Sequence, residues 1–309
     1  MNKTAWCDLH IGIANLSAYT RQEDQARIQA TLKTMGVKAI TPASNLAARC
    51  RYLCGTDRER LQGLYGLLAH PEVNIIMLQR GGYGALRLLP SLDVALISRY
   101  HKPMVGMSDV TAFFIHAYQR TGKLFFHGPN LFREFLQAPN SINKQDILAK
   151  LQLRPGDDLF NLYSHASPVV LSAGTAYARL IGGNLSTIAA MAGTGHIAPF
   201  AGHILFIEDV AERPYRVDRM LAQCAMSDLF ADLAGVLIGN FEAQVPAHEI
   251  HLFPDIFKEY FADRGVPVIM GLPFGHGTDK ATLPVGLLVR IDESGRIESA
   301  ETIGAGKRV

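Results

Sequence analysis

The segment Gly106-Met107-Ser108-Asp109-Val110-Thr111 follows the short apolar run Lys102-Pro103-Met104-Val105 and leads into an apolar, helix-like stretch. A strand-to-helix turn of this kind can hold a serine hydroxyl up as a nucleophile. It also places the backbone N–H of Asp109 at a helix start, where an unpaired donor and the positive dipole end can stabilise an oxyanion. The bland alternative is an ordinary helix opening, because serine is a favoured N-cap and Val110 stands where Gly-x-Ser-x-Gly would have its second glycine.

A serine nucleophile needs a base to take its proton and a carboxylate to orient that base. Of the 11 histidines, His70, His101 and His127 adjoin turn or loop signals, and His116 falls inside the helix after Ser108. His276 differs: it stands in Gly275-His276-Gly277, beyond the strand-like Val268–Met270 and the Leu272-Pro273 break. Glycine on both sides leaves the imidazole unhindered. For the acid, Glu208 and Asp209 follow the apolar run Ile204-Leu205-Phe206-Ile207, and a strand's C-terminal edge commonly presents functional groups. Glu212 competes from Glu212-Arg213-Pro214-Tyr215, which reads as a turn into a helix. Spacing alone leaves the acid open.

Positioning these groups calls for a sizeable scaffold, and 309 residues with 48% hydrophobic and 19% charged residues provide one. That length predicts two domains. A net charge of +2, spread over 30 basic and 28 acidic residues without any polybasic run, argues against nucleic acid or a membrane surface as partner. Cys7, Cys50, Cys54 and Cys224 form no CxxC pair and read as reduced thiols of a cytoplasmic protein. Asp8 and His10 interrupt the apolar core that a leader peptide would need, and no apolar run spans a bilayer.

Along the chain, strand-like His10–Leu16, Val37–Ile40 and Val73–Gln79 alternate with helix-like Tyr19–Met35 and Asp57–Leu68. Alternation of this kind predicts a parallel, doubly wound sheet in a domain spanning 1–140. Residues 141–168 read as the connection, since the pattern breaks around Pro139, Asn140, Pro155, Gly156, Asp157 and Asp158. Residues 169–309 then read as a second domain of mixed structure. It has strands at 176–181, 203–210, 234–238 and 266–270, a helix at 217–230, and an antiparallel tail turning at Glu293-Ser294-Gly295.

Taken in order, Arg80-Gly81-Gly82-Tyr83-Gly84-Ala85, the Gly106–Thr111 turn, His127-Gly128-Pro129, Gly182-Gly183-Asn184-Leu185, Ile207-Glu208-Asp209-Val210 with Glu212-Arg213-Pro214-Tyr215, and Gly275-His276-Gly277 with Leu283-Pro284-Val285-Gly286 form a series. The series resembles the LD-carboxypeptidase family, the muramoyltetrapeptide carboxypeptidases, over about residues 10–290. The resemblance implies a catalytic serine, glutamate and histidine at Ser108, Glu208 and His276. It further implies a flavodoxin-like, class I amidotransferase-like N-terminal domain and a smaller, swivelling β/β/α C-terminal domain, with the site between them. The oxyanion would meet the N–H groups of Asp109 and Gly82, with Gly81 allowing close backbone approach, and neither metal nor organic cofactor would be required.

The implied substrate is a small peptide, the stem of a cytoplasmic murein tetrapeptide, cut between its diamino acid and terminal D-Ala in peptidoglycan recycling; a homodimer is a family expectation. An exopeptidase must hold a free carboxylate, which a guanidinium does well, so Arg80 and Arg213 are candidates for that role, and Asn184 could support the site through its amide. A nearby branch resembles the microcin C self-immunity peptidases, which cut aminoacyl-nucleotide amides. The short segment between Gly195 and Ile204, and the lack of any tryptophan beyond Trp6, favour the murein reading. A glutamine amidotransferase would need cysteine where Ser108 stands, while a non-catalytic murein-peptide-binding protein is compatible with the sequence.

Overall fold

The computed structural model describes residues 4–303, so the outermost residues of the spans 1–140 and 169–309 lie outside the described part. Its first half alternates as β1 (His10–Ala14), α1 (Gln22–Thr34), β2 (Ala39–Pro42), α2 (Asp57–Ala69), β3 (Ile75–Leu78), α3 (Val94–Arg99), β4 (Met104–Gly106), α4 (Thr111–Thr121) and β5 (Phe125–His127). The second half holds α5 (Ser141–Lys150), β6 (Val169–Ser172), β7 (Ala176–Asn184), α6 (Leu185–Met191), β8 (His203–Glu208), α7 (Pro214–Met226), β9 (Gly235–Asn240), α8 (Phe253–Phe261), β10 (Val268–Gly275), β11 (Leu283–Val285), β12 (Leu288–Ile291) and β13 (Ile297–Ser299).

Strands β1 to β5 pair in parallel in the order β2-β1-β3-β4-β5. That is the flavodoxin-type doubly wound order, whose ligand crevice lies beyond the carboxyl ends of the strands. Every residue of β1, β3, β4 and β5 is buried, as continuous apolar runs covered on both faces require. Local signals set the flanking helices. Thr56 and Glu59 form a reciprocal capping box at the start of α2, and Gly122 closes α4 in the left-handed region.

The second sheet runs β13-β12-β7-β8-β9-β10-β6. Its centre, β7 to β10, is parallel, while β6 and the β12–β13 hairpin flank it in antiparallel fashion. The hairpin turns at Asp292–Gly295, where the Asp292 side chain accepts from the N–H groups of Ser294 and Arg296. Strand β11 departs from this sheet. It pairs antiparallel with β5 on the edge of the first sheet, Leu283 opposite His127.

The stretch read as a connection is not extended throughout, since α5 occupies 141–150. Its buried residues Asn143, Asp146, Ile147 and Lys150 recur at helical spacing, yet three of the four are polar, so hydrophobic periodicity does not reveal the helix. The Asn140 side chain caps it by accepting from the N–H of Ile142 at 2.9 Å. Among the described residues no helix is long and apolar enough to cross a membrane.

Candidate active site

Ser108 lies one residue beyond β4, after Met107, and adopts φ +71°, a left-handed conformation that a non-glycine residue rarely holds. The turn is fixed from several sides. Asn130 clamps the preceding residue, its Oδ1 accepting from Met107 N–H at 3.3 Å and its Nδ2 donating to Met107 C=O at 3.2 Å. The buried Asp109 carboxylate accepts from Ser17 Oγ at 2.5 Å and from Ala85 N–H at 2.8 Å. These bonds tie the loops after β1 and β3 to the turn, while burial pushes the Asp109 carboxyl above the usual range. Gly81 packs directly on the serine: a Cβ there would lie 3.0 Å from Ser108 Cβ and 3.1 Å from its Oγ. Gly82 beside it has φ +110°.

Glu208 ends β8 and His276 follows the last residue of β10. His276 Nδ1 lies 2.6 Å from Glu208 Oε2. A carboxylate can only accept, so Nδ1 carries the proton and Nε2 is left with its lone pair. Glu208 is completely buried, and the His276 side chain is 11% exposed. Burial opposes ionisation of Glu208, but the His276 charge and hydrogen bond outweigh it and hold the carboxyl below its usual range. Burial likewise opposes protonation of His276, and Glu208 outweighs that too, raising the imidazole. Gly275 makes the contact sterically possible: at φ +102°, a Cβ there would fall 2.7 Å from both Glu208 Cβ and Oε2.

The two halves meet beside the Glu208–His276 pair and the start of α4. Asn184 N–H, at the end of β7, donates to Thr111 Oγ1 at the start of α4 (3.0 Å), three residues after Ser108. His127 ends β5 opposite Gly106 of β4 and lies with Nε2 3.7 Å from Glu208 Oε1. Its imidazole is fully buried; burial, against the pull of Glu208, holds it down at about 4. A cavity of about 560 Å³ opens beside His276, lined also by Arg133, Asn140, Asn240, Glu242 and Lys280. A smaller one of about 40 Å³ joins His276 and Arg133 to Met107, the residue before Ser108.

Of the three acids that spacing left open, only Glu208 reaches His276. Asp209 instead accepts from Asn184 Nδ2 (2.9 Å) and from the N–H groups of Ser186 (2.7 Å) and Val210 (2.9 Å); burial and the Glu208 charge push its carboxyl up to about 6. Glu212 pairs with Arg216 at 3.6 Å. The Asn184 side chain is occupied by Asp209 and by capping α6, where its Oδ1 accepts from Thr187 N–H at 3.2 Å. Arg80 donates to Tyr19 C=O at 3.2 Å and stacks on Phe132. Arg213 forms a forked pair with Glu249, its Nε donating at 2.9 Å. Neither arginine lines the two cavities.

Arg133, Asn130 and His127 were not singled out from the sequence. Arg133 sits on a single π-helical turn, Arg133–Gln137, which has no apolar period to betray it. Asn130 and His127 did carry a signal, since both belong to the His127-Gly128-Pro129-Asn130 turn at a strand end.

Comparison with known proteins places the chain in a family. Residues 11–128 match the family described as LD-carboxypeptidase N-terminal domain, and residues 177–291 match the LD-carboxypeptidase C-terminal domain. The chain is 35% identical over 274 residues to a murein tetrapeptide carboxypeptidase of Pseudomonas aeruginosa, covering 84% of this chain and 86% of that protein. It is 26% identical over 267 residues to the microcin C7 self-immunity protein MccF of Escherichia coli, covering 78% and 77%. A solved muramoyltetrapeptide carboxypeptidase from Oxalobacter formigenes superposes with a TM-score of 0.78 at 28% identity, covering 93% of this chain and 97% of that one. MccF in complex with glutamyl sulfamoyl guanosine shares the fold, with a TM-score of 0.83 at 24% identity over 96% and 97% of the two chains. With both family domains matched in order over most of its length, the chain belongs to the LD-carboxypeptidase family.

Proposed function

We propose that the protein is a serine-type LD-carboxypeptidase that removes the terminal D-Ala from murein tetrapeptides. The observation that carries this reading is Ser108, held left-handed against Gly81 at the same boundary where the Glu208–His276 pair is buried. His276 Nε2 takes the Ser108 proton as Oγ attacks the scissile carbonyl, and Glu208 stabilises the imidazolium that forms. The N–H groups of Gly82 and Asp109 receive the oxyanion; losing one such donor raises the barrier by about 3 kcal/mol. The tetrahedral intermediate collapses, the C–N bond breaks, and His276 passes its proton to the departing D-Ala amine. Water, deprotonated in turn by His276, then attacks the acyl ester, and the His276 imidazolium returns that proton to Ser108 Oγ as the ester bond breaks.

The cavity favours a peptide over a nucleotide, because no aromatic ring other than His276 lines it and base stacking would want one. Four free thiols suit the reducing cytoplasm, where murein fragments are recycled; burial pushes those of Cys54 and Cys224 up to about 12 and leaves them unreactive. Mass spectrometry of a murein tetrapeptide and of its all-L-terminal analogue tests the reading. Loss of D-Ala from the tetrapeptide alone, absent in Ser108→Ala, is the expected result. Cleavage of an aminoacyl-nucleotide amide with the tetrapeptide untouched would transfer the assignment to the immunity-peptidase branch, and binding without any turnover would make the chain a peptide-binding protein.

A further inference from the structure

An exopeptidase differs from an endopeptidase in having to recognise a charge next to the scissile bond, and both arginines chosen from the sequence for that task are occupied elsewhere. Arg213 is engaged by Glu249, and Arg80 by Tyr19 and Phe132. Arg133 is different. It lines the large cavity and the small one, together with His276 in each, and in the small one with Met107, which precedes Ser108. Among the described residues its guanidinium makes no hydrogen bond and no ion pair. Lys280, the other cation of both cavities, is held by Glu134 Oε2 and Thr278 C=O, each at 3.3 Å.

We propose that Arg133 receives the C-terminal carboxylate of the substrate and so makes this site an exopeptidase site. The proposal rests on the carboxypeptidase reading above and adds to it the group that selects a chain end. In a peptide the terminal carboxylate is a single residue from the scissile carbonyl, and consecutive Cα atoms are about 3.8 Å apart. Its receptor must therefore stand near both the base and the nucleophile, and Arg133 shares both cavities with His276 and the smaller one with Met107, the residue before Ser108. A guanidinium matches a carboxylate with two parallel N–H donors. The positive charge of Arg133 also works against protonated His276. A bound carboxylate cancels it and leaves His276 the stronger base once substrate is seated.

The test compares a murein tetrapeptide with its C-terminal amide on the wild-type protein, Arg133→Gln and Arg133→Lys, with thermal melts to confirm folding. Loss of a charged hydrogen-bond partner predicts that Arg133→Gln lowers kcat/KM for the acid by about 10- to 100-fold. The wild-type preference for acid over amide then collapses to within about threefold, and Arg133→Lys retains part of it. Equal loss on both substrates, or no loss on either, overturns the proposal. Calorimetry in a Ser108→Ala background separates it from the functional reading. If the wild-type protein leaves the tetrapeptide intact, the carboxypeptidase reading fails. The Arg133 assignment still holds if Ser108→Ala binds acid at least about tenfold more tightly than amide and Arg133→Gln erases that difference, and it falls if the two bind equally or not at all.

Discussion

Two clusters of buried charge lie along the boundary between the sheets, and they are finished to different degrees. In the first, both oxygens of each carboxylate are occupied. Glu134 accepts from Asn140 N–H (2.6 Å), Asn143 (3.2 Å) and Lys280 (3.3 Å), and Asp146 accepts from Lys150 and from Thr282 N–H (2.6 Å). In the second, Glu208 Oε1 and both ring nitrogens of His127 are buried without a hydrogen-bond partner among the described residues. A protein that satisfies one cluster and leaves its neighbour incomplete is spending stability where chemistry needs it. The first cluster braces α5 and the loop after His276; the second is primed to change its bonding when a proton moves.

The sharpest way to break the comparison is at Ser108, the proposed nucleophile. Ser108→Gly is expected to lower kcat on the order of 10⁴- to 10⁶-fold. It should also raise the unfolding free energy by about 1 kcal/mol, because glycine accepts φ > 0 without strain. Activity assays and denaturant melts read the two opposite signs; a destabilised Ser108→Gly would remove strain from the account. Glu208→Gln comes next. It keeps the shape but loses the charge that fixes the His276 tautomer, so kcat should fall by about 10³- to 10⁴-fold, with little effect on KM.

The completed cluster should answer through folding instead. Asp146→Asn leaves Lys150 buried without its counter-charge and is expected to cost about 3–5 kcal/mol of stability. The kcat of the protein that remains folded should be unchanged, as a melt and an active-site titration would show. The smallest effect is in pH dependence. His127 binds its proton less readily folded, at about 4, than unfolded, near 6.5. Its contribution is therefore intact above pH 6.5 and is lost as pH falls toward 4, about 3 kcal/mol in all. His127→Phe should flatten that slope in pH-dependent melts. His276 has the opposite sign: its raised affinity for a proton stabilises the fold at low pH and is lost as pH rises. Activity runs the other way, since the base must be neutral, so kcat/KM should climb through a value above the ordinary histidine range.

Much of this was legible in the sequence because it is written locally. The alternation of apolar runs with capped helices gave the parallel sheet, and the Gly-x-Ser turn and the Gly-His-Gly loop marked their own positions. What could not be read depends on partners far along the chain. The buried face of α5 is polar because Asn143 and Asp146 answer to residues 278–282, and no periodicity records that. Whether Glu208, Asp209 or Glu212 meets His276 is decided by the register of β8 against its neighbours, and motif order alone could rank them only through family resemblance. His127 reads as a turn histidine because nothing in its own segment announces the Glu208 carboxylate 3.7 Å away. Arg133 escaped because its place beside His276 is visible only in the folded cavities, where the other lining cation, Lys280, is already held by Glu134.

The strand Leu283–Val285 gives the fold a timetable. Synthesis proceeds from the N-terminus, so β1 to β5 and the Ser108 turn emerge long before the strand that borders β5 and before the loop carrying His276. A nascent chain thus carries a serine without a base and an open sheet edge on β5, the kind of edge that recruits other strands. One late segment ends both conditions together, since the loop that delivers the imidazole runs straight into the strand that closes the edge. A chain interrupted before that point has neither the imidazole nor the strand that borders β5.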